Sequence, residues 1–195
     1  MKKDKPKYQQ IIEAAIVVIA KNGYHTSKVS EIAKQAGVAD GTIYLYFNNK
    51  EDLLVSVFKE RMKQFTDKIV QNINKQKNAN DKLLTLITLH LQQLDIDRNL
   101  AVVTQLELRQ SQKNLRLQIN NVVKSYLKVI EQIVIEGQQE NLYRSDLSLP
   151  LIRQMIFGTI DETVTTWVMQ DHKYDLPSYA SEIHTLLTNG LSIIH

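Results

Sequence analysis

The chain has 195 residues, enough for a well-buried core in one domain or two small ones. It has no cysteine, which excludes a disulfide framework, a thiolate nucleophile and a zinc site built on sulfur. Net charge is only +3, yet residues 1–50 hold eight lysines against four acids, while the remainder holds sixteen basic and seventeen acidic residues. Positive charge is thus confined to the N-terminal segment, as an electrostatic footprint for DNA requires.

The first predicted helix, Lys7–Asn22, repeats Ile11, Ala14, Ala15, Val18 and Ile19 on one face and stops at Gly23. Glu13 breaks its apolar run and Lys21-Asn22-Gly23 follows it, so it reads as a core helix and not as a signal peptide. Tyr24–Ser27 is a loop in which Thr26 or Ser27 is placed to cap the next helix or touch a phosphate. Lys28 joins Thr26 as a candidate DNA contact, and His25 reads as a loop residue and not a ligand.

Val29, Ile32, Ala33 and Ala36 define a short amphipathic helix, and Gly37 sits where a left-handed cap is expected. Val38 plugs the corner. Asp40 is expected as N-cap of a second short helix, Gly41–Tyr46, anchored by Ile43 and Phe47. Gly41, Thr42, Tyr44 and Tyr46 are then left to face outward. Two tyrosines and a threonine bracketed by lysines suit phosphate and thymine-methyl contacts. Lys50 begins the following helix, where an ammonium and free backbone N–H groups together would hold a phosphate. Helix, glycine turn, helix is the layout of a helix-turn-helix whose second helix enters the major groove. A purely structural corner with exposed aromatics would share the layout.

A long helix from Lys50 to about Gln76 carries Leu53, Leu54, Val57, Phe58, Met62, Phe65, Ile69 and Ile73 on one stripe. It starts at the proposed DNA face and runs into the rest of the protein, so it is the expected lever between them. After the polar stretch Asn74–Asn80, helices are predicted at Asp81–Leu94, Leu100–Gln110 and Leu115–Glu136, the last ended by Gly137. Leu151–Met169 is apolar nearly all round and is expected to be buried on most sides, between a pocket and a subunit contact. Ser178–Ile194 is the final amphipathic helix. No strand-like alternation occurs, so the fold is expected to be all-α with about nine helices. The expected division is 1–50 for DNA binding and 51–195 for ligand binding and dimerisation.

No phosphate loop, HExxH or GxSxG pattern occurs, and the five histidines are scattered, so no enzyme is expected. His90 stands in a leucine-rich helix without a second ligand at i+3 or i+4 and reads as a satisfied core histidine, with no metal. Asp161 and Glu162 diverge by about 100° on a helix and cannot serve one acid/base site. One is expected to be buried with a partner and the other to face water. Gln105 and Arg109 fall one turn apart, with Leu108 on the adjoining face. Arg98, Arg109 and Arg116 could line the mouth of a cavity walled by aliphatic residues, Phe157 and Trp167, which suits an anion with a long apolar tail. Arginines on helices ordinarily form solvated ion pairs, however, and a Met/Phe/Trp stripe is ordinarily core. No apolar run reaches the roughly 18 residues of a membrane span, and a cytoplasmic location is expected.

IAKQAGVADGTIYLYFNNKEDLL, Ile32–Leu54, resembles without a gap the signature of the TetR family of bacterial one-component regulators. NLAVVTQLELRQ and RQMIFGTIDETVTTWVM are similar to segments of that family's repressors of fatty-acid degradation. The resemblance implies a homodimer on a palindromic double-stranded operator of β-oxidation genes, released by long-chain acyl-CoA. It implies DNA contacts at Thr42, Tyr44, Tyr46 and Lys50, and a two-fold four-helix interface from Leu151–Met169 and Ser178–Ile194. Asp40 departs from the serine common there, so it is expected to cap and to accept from a cytosine amine. For the acyl-CoA, Arg98 and Arg109 are expected at the CoA phosphates, Gln105 at a polar headgroup, and Leu108, Phe157 and Trp167 at the tail. Two other readings stay open: a repressor of efflux genes sensing other hydrophobic compounds, and a helical scaffold or lipid carrier that binds no DNA.

Overall fold

The structure is a computed structural model in which residues 5–192 are described. Residues 1–4 and 193–195 lie outside the described residues, and with them fall the predicted end of the last helix at Ile194, and Lys2, Lys3, Asp4 and His195. Nine α-helices follow one another among the described residues: α1 (Lys5–Asn22), α2 (Val29–Gln35), α3 (Asp40–Tyr46), α4 (Lys50–Ile73), α5 (Ala79–Ile96), α6 (Arg98–Glu107), α7 (Lys113–Gln139), α8 (Leu149–Met169) and α9 (Ala180–Leu191). A 3₁₀ turn, Leu176–Tyr179, precedes α9, and the one β-type pairing among these residues is an isolated bridge between Tyr143 and Ser192. The all-α expectation holds.

The helices sort into two compact units. One runs to Arg61 and takes in Arg98–Val122; the other holds Met62–Asp97 and the chain from Val123 onward. In the first, α1 packs on α6 and α2, and α2 on α3. Its core is Ile11, Ile12, Ala15, Ile32, Ile43, Phe47, Leu53, Leu54 and Phe58. In the second, α5 packs on α8, α9 and the 3₁₀ turn. Its core is aliphatic, from Leu83, Leu86, Ile87, Ile130, Ile133, Ile156 and Ile160, around the rings of Phe65, Tyr126 and Trp167. The compact units therefore do not follow a single cut near residue 50. The stretch 98–122, remote in sequence, folds in with the helix-turn-helix.

Some predicted ends move. α6 stops at Glu107, not Gln110, which places Leu108 and Arg109 beyond the helix. The one-turn pairing of Gln105 with Arg109, which needed a continuous helix, is lost. α7 passes through Gly137 and ends at Gln139, with the left-handed position at Asn141 (φ 57°). Gly137 serves close packing instead. A Cβ there would lie 2.2 Å from Cδ2 of Tyr143, whose N–H donates to the Gly137 carbonyl at 3.0 Å.

Candidate nucleic-acid interface

The corner between α2 and α3 is a two-bond glycine cap. The Val38 N–H donates to the Ala33 carbonyl at 3.0 Å and the Gly37 N–H to the Lys34 carbonyl at 3.1 Å. Gly37 sits at φ +62°, which an L side chain occupies only with strain. At the other end of α2 the cap is Lys28, whose N–H donates to the Glu31 carboxylate at 3.1 Å. Thr26 and Ser27 do not cap α2. The Thr26 hydroxyl donates to the Asn22 carbonyl, and buried Ser27 donates to the Gly23 carbonyl at 2.7 Å, so both hold the loop to the end of α1.

Asp40 is likewise not a cap. Ala39 takes that position, and Asp40 is the first residue of α3, exposed, where a carboxylate suits the positive helix end. Ile43 and Phe47 are buried and anchor the helix as expected. At 100° per residue, Tyr46 and Phe47 fall within about 60° of Ile43, whereas Leu45 points away. Tyr46 is accordingly half-buried, 6.4 Å from the Tyr8 ring, and is less outward than expected. Leu45, which the sequence reading passed over, is 71% exposed beside Tyr44 at 57%. A solvated leucine on a short polar helix is the signal that could have found it. Gly41 is exposed and Thr42 half-buried on the same helix.

Lys50 opens α4 behind an Asn49 cap, whose Oδ1 accepts the Asp52 N–H at 2.8 Å. Its ammonium donates to the His25 carbonyl at 3.0 Å and stands 4.7 Å from the centre of the Tyr24 ring. Burial lowers the Lys50 pKa against the opposing pull of Glu107 and Glu31. Burial, aided by Glu51 and Glu107, pushes the Tyr24 phenol up to about 12. The Lys50 contact draws the start of α4 onto the loop carrying Thr26, and the eight candidate DNA residues, from the entrance of α2, the length of α3 and the start of α4, lie within one unit.

The candidate effector residues divide between the units. Arg98, exposed at the start of α6, Gln105, buried, and Leu108 and Arg109, half-buried and exposed, belong to the first. Arg116 donates to the carbonyls of Gln110 and Ser111 at 3.0 and 3.1 Å, fastening the segment between α6 and α7. Phe157 and Trp167 belong to the second unit, ten residues and about 15 Å apart along α8. Phe157 is half-buried, its ring 6.2 Å from Tyr126. Trp167 is fully enclosed, and its Nε1–H donates to the Tyr174 carbonyl at 2.8 Å. Within the same unit a groove of about 220 Å³ is lined by Val70, Ile73, Lys82, Lys128, Ile133 and Glu136, and neither Phe157 nor Trp167 borders it.

His90 is a satisfied core histidine. Its Nδ1 lies 2.7 Å from the Tyr126 hydroxyl and its ring stacks edge-on against Phe65 at 4.9 Å. Burial lowers its pKa to about 3, and burial together with Asp161 raises that of Tyr126. Asp161 is buried and Glu162 exposed, as expected of neighbours on α8. No three or more metal-ligating side chains cluster among the described residues, and no helix there is long and apolar enough to cross a membrane.

Comparison with known proteins adds to this geometry. Residues 11–57 match the family described as bacterial regulatory proteins, tetR family, and residues 58–190 match the C-terminal region of YsiA-like proteins. The chain is 56% identical over 191 residues to the fatty acid metabolism regulator protein of Bacillus subtilis, covering 98% of each. Among solved structures it resembles the fatty acid degradation regulator FadR of Bacillus halodurans, with TM-score 0.91 and 53% identity over 94% of this chain and 99% of that one. It also resembles the transcriptional regulator FadR of B. subtilis in complex with stearoyl-CoA, with TM-score 0.92 and 55% identity over 96% of this chain and all of the other.

Proposed function

The chain belongs to the TetR family of bacterial regulatory proteins, and from that premise we propose that it is a homodimeric repressor of fatty-acid degradation genes, released by long-chain acyl-CoA. It is a transcriptional regulator, not an enzyme. The observation that carries the reading is likeness along essentially the whole chain to the B. subtilis regulator, C-terminal region included. A regulator of this kind works in the cytoplasm, where its operator and acyl-CoA are.

In this reading α3 enters the major groove with Leu45, Tyr44, Gly41 and Thr42 toward base edges. Thr26, Lys28, Tyr46 and Lys50 position the backbone, and Asp40 accepts from a cytosine amine. Functionally, residues 1–50 read DNA and residues 51–195 bind effector and partner. For the effector, Arg98 and Arg109 attract CoA phosphates and Gln105 meets a polar headgroup, while Leu108, Phe157 and Trp167 serve the acyl chain. Dimerisation sets the two α3 helices at the spacing of successive major grooves, about 34–36 Å. Acyl-CoA binds the form in which that spacing is lost, with α4 as the lever. By linkage, DNA then weakens acyl-CoA binding by the same factor as acyl-CoA weakens DNA binding.

The test is fluorescence anisotropy of a palindromic duplex selected by the protein from a randomised pool, titrated in parallel with oleoyl-CoA, oleate and CoA. Release by oleoyl-CoA alone is expected. Tight DNA binding untouched by all three would discard the effector and favour an efflux-type regulator, and no salt-sensitive duplex binding at all would favour the lipid carrier.

A further inference from the structure

We propose that Glu107, the last residue of α6, is a positioning residue for DNA binding, an inference that rests on the repressor reading above. Its Oε1 accepts the Tyr24 N–H at 2.8 Å across 83 residues of sequence, and its Oε2 accepts from Gln110 Nε2 at 2.6 Å. Both oxygens are therefore engaged and the carboxylate is oriented. The peptide it holds begins the loop that continues through His25, Thr26 and Ser27 to Lys28. The ring of Tyr24 lies under the Lys50 ammonium, which in turn takes the His25 carbonyl. Carboxylate, peptide, ring and ammonium form one chain of contacts linking the end of α6 to the entrances of α2 and α4.

The segment that carries Gln110 is itself tied down. Arg116 holds the carbonyls of Gln110 and Ser111, and Gln112 Nε2 donates to Glu51 Oε1 at 3.0 Å. Glu107 lies in the part of the chain matched by the C-terminal family region, not in the helix-turn-helix match. The DNA-reading loop thus takes one of its supports from a residue outside the DNA-binding sequence.

Electrostatics gives the proposal a distinctive sign. A carboxylate beside a phosphate-seeking lysine repels DNA, so on charge alone its removal should tighten binding. A positioning role requires the opposite. Wild type, Glu107→Ala and Glu107→Gln are compared on the selected duplex over a range of salt concentrations. Glu107→Ala is expected to weaken binding about tenfold and to flatten the log–log salt slope by about one, the loss of one phosphate contact. Glu107→Gln keeps an oxygen for the Tyr24 N–H and sheds the repelling charge, so it is expected to bind at least as tightly as wild type. Circular dichroism and oleoyl-CoA affinity without DNA report whether each variant folds. Should Glu107→Ala not fold, Glu107→Asp, one carbon too short to reach Tyr24, is expected to bind more weakly than Glu107→Gln. Glu107→Ala binding as tightly as wild type or tighter, or an unchanged salt slope, overturns the proposal and leaves the repressor reading standing. Failure of wild type to select any duplex removes the repressor reading and this proposal with it.

Discussion

At His90 the surroundings decide the chemistry. The imidazole is enclosed by Phe65 and Tyr126, and its Nδ1 shares a hydrogen bond with the Tyr126 hydroxyl. An unfolded chain protonates this ring near pH 6.5, whereas burial holds the folded value at about 3. Its folded pKa is depressed, so the stability it contributes is fully present above pH 6.5 and is lost as pH falls toward 3. The slope is up to about 1.4 kcal/mol per pH unit. His90→Phe leaves the Tyr126 hydroxyl unpaired, at a cost of about 1–3 kcal/mol at pH 7. Urea unfolding of wild type is expected to lose stability between pH 6.5 and 4.5 more steeply than the variant, so that the gap between them narrows. Parallel pH profiles would remove His90 from the account. Leu45 and Tyr46 show the same dependence on setting. Both lie on one turn of α3, but helix geometry turns Leu45 to solvent and leans Tyr46 toward Tyr8.

Among the elements, the α2–α3 corner sets the angle at which α3 is presented. Its two hydrogen bonds need Gly37 at φ +62°. A Cβ at that position meets no atom within 4 Å, so the penalty for a side chain is backbone strain and not a clash. Gly37→Ala is therefore expected to cost about 1–2 kcal/mol in thermal or urea unfolding and to weaken operator binding further as α3 tilts. An unchanged melting temperature would show that the corner adopts another turn. Gly137 presents the reverse case: its φ is ordinary, but the Tyr143 ring occupies the space of a side chain. Both glycines sit near a helix end, yet one is required by conformation and the other by packing.

For the molecule as a whole, the exposed apolar side chains of α8 and α9 call for a partner. Leu151, Met155 and Met169 are exposed on α8, and Leu186 on α9 is 73% exposed beside a shallow groove formed with Ser181, Glu182 and Thr185. Leucines and methionines left in water on two helices suit an isologous contact with a second copy, consistent with the two-fold interface proposed for repression. Leu186→Glu places two like charges across that contact. Sedimentation velocity is expected to find monomers, with binding to the palindromic duplex lost while helix content is retained. Dimers that persist at wild-type concentration would move the interface off α9.

The helix-turn-helix was legible in the sequence because its determinants are local. Apolar spacing, a glycine that takes a left-handed turn without strain, and the anchors Ile43 and Phe47 all act within a few residues of one another. The isolation of His90 and the divergence of Asp161 from Glu162 were legible for the same reason, since helical period depends only on neighbours. Other features depended on groups distant in sequence. The end of α6 at Glu107, the passage of α7 through Gly137, and the capture of the Tyr24 peptide by a carboxylate 83 residues away are settled by packing and hydrogen bonding, which no local pattern encodes. The candidate effector residues mark the boundary between the two. Helical spacing, residue type and family resemblance singled out Arg109 and Trp167, but only the tertiary structure revealed that Arg109 stands beyond its helix and that Trp167 is closed in with its N–H already bonded.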